Sequence, residues 1–429
     1  MKNAWIKKVL NQEMKLSTGC TEPGAIALCA AYVGEKVTEE IRSVQVNCSV
    51  NIIKNAMSAC IPNMNPKGVD VACAIGLMIA DPSASLNLLE KVTADQIEKA
   101  MILASSGLIQ VDVADTKEKV YIEVIAETQN HVIRGVIAKM HNHCITLEID
   151  GAAVLNNDIE EVKSISYEEI SENLTFKEIV EFAVNADGHD PDFSVIYQSI
   201  LLNGRIAEDG LVNNYGLQVG KIMQLQMNTN EIGTDLVNQC VCYTAAACDG
   251  RMAGCPLPAV SNSGSGNQGI ASSLPVSKAA ELMKAKDKQF RAVLLSSLVT
   301  IYIKSKLGKL SALCGATVAG IGSAVALTWL KGGSVEQMEY AVHNMIGNVT
   351  GMLCDGAKAD CALKVASCTH AAFLASTLAM NHLVVQPTEG VVEHHVEGSI
   401  SNLARLGKEG SDVLDEMILD MMLSKKKEN

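Results

Sequence analysis

Aromatic side chains are scarce: five Phe, eight Tyr and two Trp make up 3% of 429 residues. An interior built around large rings is therefore excluded, and Ala, Leu, Ile, Val and Met must fill it. Hydrophobic residues reach 48% against 19% charged, enough for an extensive core packed by helices. Basic charge is also in short supply, with 35 Lys and Arg against 48 Asp and Glu, a net −13. The last basic run, Lys425 to Lys427, is confined to the C-terminal tail. Phosphate backbones are gripped by clustered cations, so no nucleic-acid partner is expected.

Long apolar runs are missing too. Ala316 to Leu330 falls short of the ~20 residues that span a bilayer, and Lys304, Lys306 and Lys309 cut the run before it, Ala292 to Ile303. Both are expected to be buried helices, with no membrane partner. The opening residues carry Lys7 and Lys8 and no continuous apolar core of signal-peptide length, so the expectation is a cytoplasmic protein. There is no Cys-x-x-Cys, which disfavours structural zinc and bacterial ferredoxin-type clusters.

What the chain does have is fourteen cysteines. With no export signal they read as reduced thiols, mostly small core residues, with a minority acting as ligands or nucleophiles. Cys240 and Cys242 would point about 200° apart on a helix and read as packing.

Two textures divide the chain. In the first part there are strand-like stretches at Ile41 to Val50, Leu108 to Val113, Lys119 to Glu127, Val132 to Ala138 and Cys144 to Ile149, several of which alternate apolar and polar residues, as in a sheet with one wet face. Helices are expected at Glu22 to Glu35, with Pro23 tolerated in its first turn, and near Val69 to Ala80 and Thr93 to Ser105. From Thr175, where Thr175 and Glu178 form a capping box, no convincing alternating strand is seen. The expectation is an α+β domain with a mostly antiparallel sheet over 1–165, then a larger all-α domain over 175–429.

Four cysteine motifs read together as the thiolate set of an iron-sulfur site: Cys20 in Ser17-Thr-Gly-Cys-Thr-Glu-Pro23, Cys314 in Leu313-Cys-Gly315, and Cys354 with Cys361 in Cys354-Asp-Gly-Ala-Lys-Ala-Asp-Cys361. In one helix, Cys354 and Cys361 would lie ~10 Å apart along the axis, too far for neighbouring corners of one cluster. Asp355-Gly356 lets Cys354 sit in a turn before a helix that Cys361 enters, whose N-terminus favours an anionic group. Ser261-Asn-Ser-Gly-Ser-Gly-Asn-Gln-Gly269 opens a further helix and offers N–H groups and short polar side chains, among them Ser263, Gly264, Ser265 and Asn267, either as a substrate-carboxylate site or as a tight connection. It lacks a P-loop Lys, and no strand is evident before it. Lys54-Asn55 and Ile61-Pro-Asn63 read as a polar loop that could face the site. His141 and His143 precede a strand. Asn344 and Asn348, on a helix begun by the Ser334 and Gln337 capping box, could point toward Cys354.

At Thr18-Gly-Cys-Thr-Glu-Pro23, Lys54-Asn55, Ser261 to Gly269, Leu313-Cys-Gly315 and Cys354 to Cys361, the chain resembles the L-cysteine desulfidase family, relatives of the iron-sulfur L-serine dehydratases. The resemblance runs nearly end to end. It implies a [4Fe-4S] lyase that converts L-cysteine to pyruvate, ammonia and sulfide without pyridoxal phosphate. Cys314, Cys354 and Cys361 would hold the cluster, and Cys20 would be either a fourth, displaceable ligand or a catalytic thiolate, with His143 as reserve base. Thr21, Glu22, Lys54, Asn55, Ser263, Gly264, Ser265 and Asn267 would bind the substrate. The first domain would correspond to the serine dehydratase β portion and the second to its α portion. Closer spacing of Cys354 and Cys361 than in serine dehydratases, and the absence of a cysteine after Cys368, favour the desulfidase branch. L-serine dehydration by the same site is the alternative, and a non-catalytic iron-sulfur sensor is a reading of another class. A homodimer is the default assembly.

Overall fold

The computed structural model describes residues 2–426 apart from Thr18, Cys20, 61–66, 158–163, Lys309 and Glu389. The described residues form two compact units that interleave along the chain. One comprises Met1–Ser17, Ser164–Cys354 and Ala359–Asp412, and the other Thr18–Lys163, Asp355–Lys358 and Val413–Asn429.

The chain opens in the first unit with helix α1 (Lys2–Glu13) and the short strand β1 (Met14–Ser17). The second unit then supplies α2 (Thr21–Gly34), β2 (Ser43–Cys48), α3 (Val50–Ala56), α4 (Val69–Ile79), α5 (Ala94–Ser105), β3 (Ile109–Val113), β4 (Tyr121–Glu127), β5 (Val132–Ala138), β6 (Cys144–Ile149) and β7 (Ala152–Asn156). Strands β2 to β7 make one sheet in the order β3-β2-β4-β5-β6-β7, parallel only between β2 and β3. Strict alternation decides its faces: Val44, Val46 and Cys48 on β2 and Ile122, Val124 and Ala126 on β4 point inward, where α2 packs on β4 and β5. The Thr93 hydroxyl and the Gln96 side chain close a capping box at the start of α5. The stretch containing Lys54 and Asn55 is helical, a correction to the expected loop. Val50, Ile52 and Ile53 give α3 an apolar side that ordinary loop residues lack, and Ile52 and Ile53 are buried.

The first unit resumes with α6 (Tyr167–Asn173), α7 (Phe176–Val184), α8 (Ser194–Val212), α9 (Val219–Asn228), α10 (Leu236–Met252), β8 (Ala259–Asn262), α11 (Gly266–Leu282), α12 (Lys286–Leu307), α13 (Gly315–Leu330), α14 (Val335–Val349), α15 (Cys361–Met380) and α16 (Val396–Glu409). Helix α17 (Ser411–Lys426) passes into the second unit at Val413. The capping boxes read from the sequence are formed, Thr175 with Glu178 on α7 and Ser334 with Gln337 on α14. The helical part does contain a strand, contrary to expectation: β8 pairs antiparallel with β1, Met14 opposite Asn262 and Ser17 opposite Ala259. All four of its residues are buried, so nothing alternates along it. Helix α13 is enclosed along nearly its whole length by α11, α12, α14 and α15. Helix α15 is long and apolar enough to cross a membrane by length and composition, and half of that stretch is buried inside the fold.

Candidate functional site

Cys314 and Cys354 are brought side by side by a backbone device far apart in sequence. Leu313 and Leu353 form an isolated antiparallel bridge, with Cys314 N–H donating to Met352 O (2.9 Å) and Cys354 N–H to Ala312 O (2.7 Å). Cys314 and Cys354 each lie one step beyond the bridged pair and so are diagonal neighbours on one face of this ribbon. Ser411 Oγ accepts the Ala312 N–H and contacts Ser311 Oγ, holding this ribbon from the start of α17. Cys314 is the N-cap of α13 and Cys361 the first residue of α15, so two positive helix ends lie beside the thiols.

The cysteines feel one another. Burial pushes the Cys314 thiol up, and Cys354, Cys368 and Cys361 push it further. Burial likewise takes Cys368 up to about 12, and its Sγ lies 3.5 Å from Met352 Sδ. Cys248, on α10, is raised well above its ordinary value by burial, then by Cys361, Asp249 and Cys314. Sequence reasoning passed over Cys248, which sits in an Ala-rich stretch with no spacing signal. Next to it, Asp249 Oδ2 accepts the Gly220 N–H at the start of α9 (3.0 Å), while Oδ1 is buried with no hydrogen-bond partner among the described residues. Burial raises this carboxyl to about 6. Beyond Met352, a groove of about 720 Å³ is lined by Met223, Val241, Asn348, His370 and Leu374.

The glycine-rich stretch resolves into two parts. Ser263 and Gly264 take φ of 48° and 81° and make a two-residue turn closed by reciprocal bonds between Asn262 and Ser265 (3.0 Å each). Ser263 N–H donates to Glu13 O (2.8 Å) and its hydroxyl to Asn262 Oδ1 (2.9 Å), so these residues tie β8 to the end of α1. Ser265 then caps α11, its hydroxyl accepting the Gln268 N–H (3.3 Å). A strand therefore does precede this stretch, which the sequence left unseen.

Two residues that sequence reasoning missed stand at this helix start. Gln268, 1% exposed, donates Nε2 to Asn262 O (3.3 Å) and Oδ1 (3.4 Å), which turns Oε1 toward Gly315. A methyl built on Gly315 would come within 2.9 Å of that oxygen, which has no hydrogen-bond partner among the described residues. Arg251, in the last turn of α10 and 7% exposed, lies against Gly266, where an added methyl would meet Cζ at 2.0 Å. The available signal was an Arg inside a stretch of Ala, Cys and Gly, since Arg is seldom buried without purpose.

In the second unit, Glu22 and Asn55 come together, Asn55 Nδ2 donating to Glu22 Oε1 (3.0 Å), and Asn55 Oδ1 is buried with no hydrogen-bond partner among the described residues. Thr21 is the first residue of α2. Lys54 is 1% exposed and ion-paired with Asp415, which also accepts from Asn51 Nδ2 (2.7 Å). Gly356, at φ 99°, packs on the Lys54 carbonyl, which a Cβ would approach to 2.3 Å. This is the turn that Asp355-Gly356 was expected to make between Cys354 and the α15 helix. His143 stands in the turn between β5 and β6, its Nε2 buried with no hydrogen-bond partner among the described residues. Asn344 is committed elsewhere than toward Cys354, its Nδ2 on Leu383 O (2.9 Å) and its Oδ1 accepting the Val385 N–H (3.0 Å). Cys20 and Ile61 to Asn63 lie outside the described residues.

The donor chemistry suits an iron-sulfur cluster: soft thiols, apolar surroundings and helix N-termini for an anionic group. As placed, no three described His, Cys, Asp or Glu side chains are grouped closely enough to hold a metal ion. The fit therefore rests on the chemistry of the thiols and on the bridge that sets Cys314 beside Cys354.

The class of protein is given by comparison with known families. The chain belongs to the serine dehydratase alpha chain family, whose model matches residues 83–420. It is similar to a UPF0597 protein of Porphyromonas gingivalis, 39% identical over 429 residues and covering 98% of each chain. A UPF0597 protein of Aeromonas hydrophila is also 39% identical, over 99% of this chain and 98% of its own. One from Clostridium perfringens is 37% identical over 98% of both. Family membership carries a dehydratase-like, lyase-class activity.

Proposed function

We propose that this protein is an iron-sulfur-dependent L-cysteine desulfidase. It removes hydrogen sulfide from L-cysteine by β-elimination, leaving pyruvate and ammonia, without pyridoxal phosphate. The observation that carries the reading is the Leu313–Leu353 bridge, which sets Cys314 and Cys354 on one face with Cys361 in their electrostatic neighbourhood. These three thiols would hold a [4Fe-4S] cluster. When bound, the cluster supplies a Lewis-acidic iron for the leaving group.

The chain's own residues supply the rest. Cys20, or His143 in reserve, takes the proton from Cα, and the electron pair left behind forms the Cα–Cβ double bond as the Cβ–S bond breaks. The released aminoacrylate tautomerises and hydrolyses. Thr21, Glu22, Lys54 and Asn55, with Ser263, Gly264, Ser265 and Asn267, are the proposed substrate contacts. Lys54 would act through its ion pair with Asp415, holding α3 in place, because its ammonium is already engaged there.

L-serine dehydration is the second reading, favoured by the description of the matching family. Both reactions lose a β-substituent after the α-proton. Sulfide release from L-cysteine and pyruvate formation from L-serine, assayed in parallel on anaerobically reconstituted protein, separate them. The desulfidase reading expects the larger kcat/KM with L-cysteine, and a larger value with L-serine would replace it.

A further inference from the structure

Buried polar atoms nearly always find a hydrogen-bond partner, so one kept bare beside a candidate active site calls for a ligand. Gln268 Oε1 is such an atom. Its amide cannot be turned over without cost, because Nε2 is held between Asn262 O and Oδ1. The oxygen is thus aimed at Gly315, the residue after Cys314 and the first of α13, where only the absence of a side chain leaves room. Two residues before Gln268, Gly266 leaves room for the Arg251 guanidinium at the start of α11. An acceptor lacking a donor and a buried cation at a helix N-terminus are complementary to the two ends of an amino-acid zwitterion.

We propose that Gln268 and Arg251 form the headgroup subsite for an α-amino acid, Gln268 Oε1 accepting from the ammonium and Arg251 pairing with the carboxylate. The subsite deepens the lyase reading and rests on it for the identity of the substrate, since the β-substituent would then extend toward Cys314. Gly315 belongs to it by leaving the approach open.

The test uses non-reacting ligands on the anaerobically reconstituted full-length protein. L-alanine has both charged groups and propionate lacks the ammonium, and each is titrated by calorimetry. Wild-type protein is expected to bind L-alanine at least about tenfold more tightly than propionate, the scale of a hydrogen bond to a charged group. In Gln268→Met that preference is expected to collapse toward one with propionate affinity kept, and in Gln268→Glu, which retains an acceptor, it is expected to persist. Gly315→Ala, a single added methyl, provides the same collapse should Gln268→Met fail to fold. Arg251→Met is expected to weaken both ligands. An unchanged preference in Gln268→Met or Gly315→Ala overturns the proposal, as does wild-type protein that binds neither ligand. Wild-type protein that prefers L-alanine yet turns over neither L-cysteine nor L-serine overturns the lyase reading and leaves the subsite standing.

Discussion

Asp249 carries the clearest pH signature of any single side chain. Its carboxyl titrates at about 6 in the folded chain against an ordinary 3.8 because burial disfavours the charged form. Between those values the folded state holds a proton that the unfolded state has lost, so this residue's contribution makes stability fall as pH rises from about 4 to 6. Asp249→Asn should remove that decline, seen as a flatter dependence of Tm on pH than wild type across this window. Parallel curves for the two proteins would show that Asp249 is not strained by burial. Lys54 and Asp415 pose the opposite case, a buried pair in which each charge satisfies the other. Asp415→Ala removes the ammonium's buried ion-pair partner and should cost about 3–5 kcal/mol in denaturant unfolding, whereas replacing both partners by apolar residues should recover much of it.

At the scale of elements, the capping boxes translate directly into expected energies. Thr175→Ala removes the hydroxyl that accepts the Glu178 N–H and should lower stability by about 0.5–2 kcal/mol, with the loss read from equilibrium unfolding. These caps were legible in the sequence because they are local, four residues from end to end. So were β5 and β6, found at Val132–Ala138 and Cys144–Ile149 as expected, since short runs rich in Val, Ile and Thr between turn residues are a local signal. Strands β1 and β8 were not legible. Each has four residues, β8 has no exposed face, and their pairing joins Met14 to Asn262. Helix α3 was missed for a related reason: at seven residues it shows less than two turns of helical period.

The candidate site divides along the same line. Cys314 at the start of α13 and Cys361 at the start of α15 could be read from their neighbours. The bridge that brings Cys354 beside Cys314 could not, because the residues that make it are forty positions apart and unremarkable Leu. The glycine-rich stretch was legible as a helix start, while the division of labour inside it was not. Ser263 and Gly264 make the turn, and the side chain left facing Gly315 belongs to Gln268.

For the molecule as a whole, the chain threads both units more than once, and the segment between Cys354 and Cys361 illustrates the consequence. Asp355–Lys358 is counted with the second unit and the cysteines on either side with the first. The spacing of Cys354 and Cys361 in the sequence follows from this excursion and from the Gly356 turn against the Lys54 carbonyl. Family membership over residues 83–420 gives the lyase class, and the proposed chemistry depends on a cluster that Cys314, Cys354 and Cys361 would hold. The most direct test of that claim is the iron and acid-labile sulfide bound per chain, measured anaerobically for wild-type protein and for Cys314→Ala. The account predicts about four of each in the wild type and near-complete loss in the variant. Wild-type protein that takes up no iron after reconstitution, or a variant that retains the full complement, would contradict it.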